Sequence, residues 1–286
     1  MINTQLDMNN ITLGEWLPLW YETYKVPFLK KYSLRNIEQQ IRLHTPSWLK
    51  EKRLKDITLF DIDRALLPIP PGRTRKYTRQ VWHNAFKKAQ QLDIIDKNVL
   101  TLTDEIRYKK QKSKPLTMAE QKNFIEALDG KCYKYVMLFY LYTGVRRSEA
   151  LTLEWKDIEK ESGLILIKGT KTEDSYRHII LTDAVKQILD AQRKQNKEKG
   201  YQGSKVFPYS KQQVSKNFKK VCPNHHLHDL RHTFITRCAE CGVNVNVCQQ
   251  LVGHATADMT INVYTHVMDE FKRREALKFT PFPKLY

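Results

Sequence analysis

Apolar residues in the first hundred positions recur at helical spacing. Thr12 with Glu15 reads as a capping box ahead of Leu13, Trp16, Leu17, Trp20 and Tyr24. Pro18 interrupts that pattern and predicts a kink or a later helix start. Ser33 is placed to cap a helix carrying Leu34, Ile37 and Ile41, and Thr58 with Asp61 to open one carrying Leu59, Ile62 and Leu66. After a break at 68–72, residues 74–92 form a longer amphipathic pattern through Tyr77, Val81, Trp82, Phe86 and Ala89. No strand alternation precedes residue 105, so residues 1–105 read as a compact all-α domain.

The pattern changes after that. Residues 106–115 hold five basic side chains (Arg107, Lys109, Lys110, Lys112, Lys114) and no acidic one, and end in Pro115. They read as a linker whose cations suit a phosphate backbone. Thr117 and Glu120 form another capping box. An apolar helix follows over 133–142 with Gly144 as its stop, and a new helix opens near Ser148. Residues 164–168 and 176–181 flank the polar stretch 169–174 as a β-hairpin. Helices are predicted over 182–195, 211–221, 228–241 and 246–252, with Gly242 and Gly253 at expected stops. Residues 116–286 are thus a second domain, and the fold class is mainly α with a small antiparallel sheet.

Charge narrows the partner. Lys and Arg number 49 against 31 Asp and Glu, a net +18, which points to a polyanion and to nucleic acid first. The apolar runs are too short to span a bilayer, and residues 1–10 lack a secretory plan, so a cytoplasmic, nucleoid-associated protein is expected. Five cysteines form no disulfide framework. Cys238 and Cys241 have metal-ligand spacing, but a partnering C-x-x-C is missing and the pair falls inside a helix, so no metal is expected.

Four stretches carry the chemistry: residues 143–150 (TGVRRSEA), Lys171 in the hairpin loop, residues 227–233 (LHDLRHT), and residues 251–254 (LVGH) followed by 263–266 (VYTH). His228 and Arg231 are three apart on a helical pattern, where an Arg and a His side by side suit a phosphate. Arg146, between a glycine stop and a helix start, is placed where free backbone N–H groups favour an anion. Each motif alone is weak; Tyr264, for instance, is one of 14 tyrosines. Together, in this order, they resemble the tyrosine recombinase (phage integrase) family over roughly residues 116–275, with residues 1–105 similar to its core-binding domain.

The resemblance implies roles. Tyr264 is the nucleophile, Arg146 and Arg231 stabilise the charge building on phosphorus, and His254 donates a hydrogen bond to the phosphate. His228 is a general base or proton shuttle, and Lys171, with Lys168 as its rival, is the acid for the departing 5′ oxygen. Glu149 supports Arg146, and His232 stands behind the site. The motif selects Arg146 over its neighbour Arg147. No cofactor is implied. The expected partner is double-stranded DNA, with a homotetramer on paired recombination sites and a possible accessory DNA-bending or directionality factor. A mobile-element integrase is the leading function. A compact chromosome-resolving recombinase is the alternative, because only about ten residues precede the first helix and an arm-binding domain is not expected. A type IB topoisomerase-like enzyme and a non-catalytic DNA-binding protein are the remaining classes. Val267, Met268, Phe271, Leu277 and Phe279 are placed to dock on a neighbouring subunit or on their own domain.

Overall fold

The computed structural model describes residues 7–101, 114–169, 176–254, 260, 261 and 264. The chain divides into two compact units, Met1–Gln111 and Lys112–Tyr286. In the first, α1 (Leu13–Tyr24), α2 (Lys31–His44), α3 (Ser47–Lys50), α4 (Leu59–Leu66) and α5 (Arg73–Gln91) enclose a core led by Trp16, Trp20, Trp82 and Phe86. Burying each large apolar side chain contributes about 1.5–3 kcal/mol. The polar edges of that core are answered: the Trp16 indole donates to the Ala85 carbonyl at 3.1 Å and Trp82 to Thr45 Oγ1 at 3.1 Å.

One start follows its expected capping box, with no later start at Pro18, and one differs from expectation. α1 begins at Leu13 and carries Pro18 inside it. The capping box and the burial of Leu13, Trp16, Leu17 and Trp20 hold it, although Pro18 has no N–H for the Gly14 carbonyl. Ser33 caps nothing: α2 starts at Lys31, and the Ser33 N–H already bonds the Lys30 carbonyl at 2.8 Å. Thr58 and Asp61 do form their capping box.

The second unit is built on α6 (Met118–Ala127), α7 (Lys134–Thr143), α8 (Arg147–Thr152), β1 (Ile158–Glu159), β2 (Leu164–Ile167), β3 (Arg177–Ile180), α9 (Asp183–Glu198), α10 (Lys211–Val221), α11 (Asp229–Glu240) and α12 (Val245–Val252). α7 is apolar on nearly every side because α9 and α11 both pack on it. The sheet is antiparallel in the order β1–β2–β3, with Leu164 opposite Ile180 and Ile167 opposite Arg177. β1 is an addition to the expected hairpin, a two-residue edge strand too short to show a period. Residues 170–175, Lys171 among them, lie outside the described residues, as do Arg107, Lys109, Lys110 and Lys112. Lys114 is described and exposed.

Candidate active site

Two glycines build the site's frame. Gly144 ends α7 at φ +64°, and Gly253 ends α12 at φ +66°, a left-handed conformation that a side chain would strain. Helix ends leave carbonyls without helical partners, and cations suit that end. Here both ends hold arginines: Arg231 Nη1 donates to the Gly144 carbonyl at 2.7 Å, and Arg146 Nη2 to the Gly253 carbonyl at 2.6 Å. The four sequence positions 144, 146, 231 and 253 thus become one place.

Glu149, 2% exposed, organises the other side. Its carboxylate accepts the Arg146 backbone N–H at 2.8 Å, Arg146 Nη1 at 2.8 Å and Arg177 Nη2 at 2.9 Å. The Arg146 N–H is therefore engaged by Glu149 and is not open to an anion, contrary to the sequence expectation. Burial raises the Glu149 carboxyl, but the bonds from Arg177 and Arg146 outweigh it and hold the pKa below the usual carboxylate range.

His228 is the N-cap residue of α11, and its ring meets His232 edge-on with centroids 5.0 Å apart. His254, following Gly253, has Nδ1 2.8 Å from Thr260 Oγ1. Burial first, then the neighbouring cations, lowers both imidazoles: His228 to about 4, through His232, Arg231 and Arg146, and His254 to about 4, through Arg231 and Arg146. Both rings are neutral at pH 7. Arg231 is pushed down to about 9, by burial and then Arg146, and keeps its charge at neutral pH. It is 2% exposed, yet Nη2 has no hydrogen-bond partner. A cavity of about 350 Å³ opens beside it, lined by Arg147, Ser215, Lys219, His226 and His228 among others. Arg147 donates to Ser215 Oγ at 2.5 Å on its wall.

The structure thus brings together Arg146, Glu149, His228, Arg231, His232 and His254. Tyr264 lies apart in its bonding. It is 7% exposed, packs with Ile235, Cys238, Cys248 and Val252, and donates its hydroxyl to the Val243 carbonyl at 3.0 Å. Burial and the Cys248 thiol push the phenol above its ordinary range. Lys168 pairs with the buried Asp157 at 2.5 Å. Arg177 was not a sequence candidate. Its partners Glu149 and Leu251 are 28 and 74 residues away, and no local pattern announces them. Among the described residues no group of three or more His, Cys, Asp or Glu is arranged to hold a metal, and no helix is long and apolar enough to cross a membrane.

The model of the phage integrase family matches residues 106–270. Tyrosine recombinase XerA of Saccharolobus solfataricus is 32% identical over 145 residues, 51% of this chain and 49% of that protein. Tyrosine recombinase XerC of Caldanaerobacter subterraneus is 27% identical over 229 residues, 74% and 63% of the two chains. The chain spans about half to under two thirds of the length of these relatives. The same fold occurs in a lambda integrase dimer bound to a COC′ core site, at TM-score 0.76 and 23% identity over 90% of this chain and 78% of that one. It also occurs in the Tn1549 transposon integrase in complex with a circular intermediate DNA, at TM-score 0.75 and 22% identity over 92% and 99%. With a match over more than half its length, across the segment that carries the paired arginines and histidines, the chain belongs to the phage integrase family.

Proposed function

We propose that the protein is a site-specific DNA strand transferase that cuts and rejoins duplex DNA through Tyr264, in the service of a mobile element. The observation that carries this reading is Arg231: a buried guanidinium with one unpartnered nitrogen, beside Arg146, His228 and His254. A charge is costly to bury without a partner, and an arginine fork suits a phosphate. A DNA phosphate supplies the missing acceptor.

In the proposed reaction the Tyr264 oxygen attacks phosphorus, the P–O5′ bond breaks, and a 3′-phosphotyrosyl link and a free 5′-hydroxyl result. Arg146 and Arg231 hold the non-bridging oxygens, and His254 donates to one of them. His228, neutral at pH 7, takes the phenol proton, and the bound anion favours the imidazolium so formed. Lys171 returns a proton to the 5′ oxygen. A 5′-hydroxyl from a second duplex then reverses the step, so the phosphoester bond energy is retained. Attack requires the Tyr264 hydroxyl to exchange the Val243 carbonyl for the phosphate. The first unit, the basic stretch 106–115 and Lys114 within it are assigned to the DNA backbone, and strand exchange to a homotetramer on paired sites. An accessory factor would set direction. The second reading, a chromosome-resolving recombinase, draws on the likeness to XerA and XerC.

The test is incubation with nicked duplexes carrying candidate sites. A covalent protein–DNA adduct that Tyr264→Phe abolishes, with binding kept, supports the reading. An unchanged adduct in that variant removes Tyr264 as nucleophile. Adducts without joining between two duplexes would point to a topoisomerase-like enzyme.

A further inference from the structure

We infer that Arg177, on the first residue of β3, is a positioning residue that holds Arg146 and the Gly253–His254 turn in register for the phosphate. The inference rests on the strand-transfer reading above. Arg177 reaches two elements at once: Nη2 donates to Glu149 Oε2 at 2.9 Å, and Nε donates to the Leu251 carbonyl at 2.8 Å. Glu149 is the same carboxylate that grips the Arg146 side chain and backbone. Leu251 is in the last turn of α12, two residues before the glycine whose carbonyl receives Arg146 Nη2. The contacts close a ring: Arg177 to Glu149, Glu149 to Arg146, Arg146 to Gly253, and Leu251 back to Arg177.

The packing leaves little freedom in that ring. A Cβ on Gly253 would stand 2.9 Å from Arg177 Nη1 and 3.0 Å from Cζ, so the guanidinium lies directly under the turn that leads to His254. The Arg177 side chain is 10% exposed and Glu149 1%, so water does not compete for either partner. Arg177 Nη1 is buried without a hydrogen-bond partner, a cost that a purely stabilising contact would have no reason to retain. An arginine fork addresses a carboxylate and a carbonyl from one rigid plane, whereas a lysine ammonium is a point donor without that fixed geometry. Arg177 follows Lys171 by six residues in the sequence, so the proposed acid and the residue that braces the phosphate-binding arginine are near neighbours along the chain.

The test measures adduct formation by the full chain on a nicked duplex, as a maximal rate at saturating DNA and as the DNA concentration for half of it. Arg177→Met is expected to lower the maximal rate about 100-fold, the effect of misplacing a catalytic group by about 1 Å. The half-saturating concentration should stay within about threefold of wild type. Because Glu149 is one of the two partners through which Arg177 acts, Arg177→Met should cost less in the Glu149→Gln background than it costs in the wild type. Arg177→Lys should recover part of the rate. A wild-type maximal rate in Arg177→Met, or losses that multiply in the double variant, overturns the inference. If Arg177→Met loses its cooperative unfolding transition, Arg177→Lys carries the test: a clear loss of rate supports the inference and a wild-type rate refutes it. A wild-type protein that forms no adduct overturns the strand-transfer reading itself, and the inference with it.

Discussion

Arg231 carries the most concentrated chemistry in the molecule. Its Nη1 has the Gly144 carbonyl, its Nη2 has nothing, and Arg146 and Arg177 are electrostatically close enough to lower its pKa. The proposed phosphate ligand would offset that cost. Arg231→Met should therefore lower the cleavage rate by roughly 10²–10³, the effect of losing one preorganised donor, about 2.7–4 kcal/mol. Its melting temperature should change little, because removing a buried charge with an unmet donor offsets the loss of the bond to the Gly144 carbonyl; a large drop would mean that Arg231 holds the fold instead. The two imidazoles make a second prediction. Their folded pKa values of about 4 lie below the ordinary 6.5, so the unfolded chain binds more protons between those limits. Their contribution to stability is present above pH 6.5 and is lost as pH falls toward 4. Denaturant unfolding at stepped pH should show stability declining through that window. In His228→Gln the decline should be shallower, and an unchanged slope would contradict the assignment.

Elements position these residues through their ends. Gly144 is the clearest case: a Cβ there would sit 2.5 Å from Phe234 Cδ1, at a φ of +64°. Gly144→Ala should cost at least about 2 kcal/mol in denaturant unfolding, from left-handed strain plus overpacking. A neutral effect would show that the α7 stop is not rigid. Thr117→Ala, removing the α6 capping box, should cost about 1 kcal/mol by the same measurement. The capping boxes at Thr12, Thr58 and Thr117, and the glycine stops at 144 and 253, are legible in the sequence because each is decided within four residues. What was not legible is tertiary. Nothing local distinguishes Ser33, inside α2, from a cap, and β1 exists only because Ile158 and Glu159 find Ile165 and Leu164. Arg177 joins residues far apart in the chain. The motifs named Arg146, Glu149, His228, Arg231, His232 and His254, while Arg177 and the orientation of all of them came from folding. The Tyr264 hydroxyl on Val243 is the sharpest example: the motif marks the residue, and the packing of α11 and α12 decides where its oxygen rests.

At the scale of the molecule the governing quantity is charge. A chain of net +18 that grips a polyanion releases counterions, and the slope of log affinity against log salt should be about −0.9 per phosphate contact. Binding that is flat in salt would remove the duplex as partner. Reading residues 106–115 as a linker predicts that brief trypsin treatment cuts at Arg107, Lys109, Lys110, Lys112 or Lys114 and leaves two resistant fragments. First cuts inside the helices of either unit would contradict it. The central claim is more specific than binding: one phenol, now turned to a backbone carbonyl, becomes covalently joined to DNA. The direct measurement is mass spectrometry of the peptide–oligonucleotide recovered from a trapped adduct, with end analysis of the released strand. The account predicts a 3′-phosphate on Tyr264 and a free 5′-hydroxyl. A link to any other residue, or through a 5′-phosphate, would contradict it.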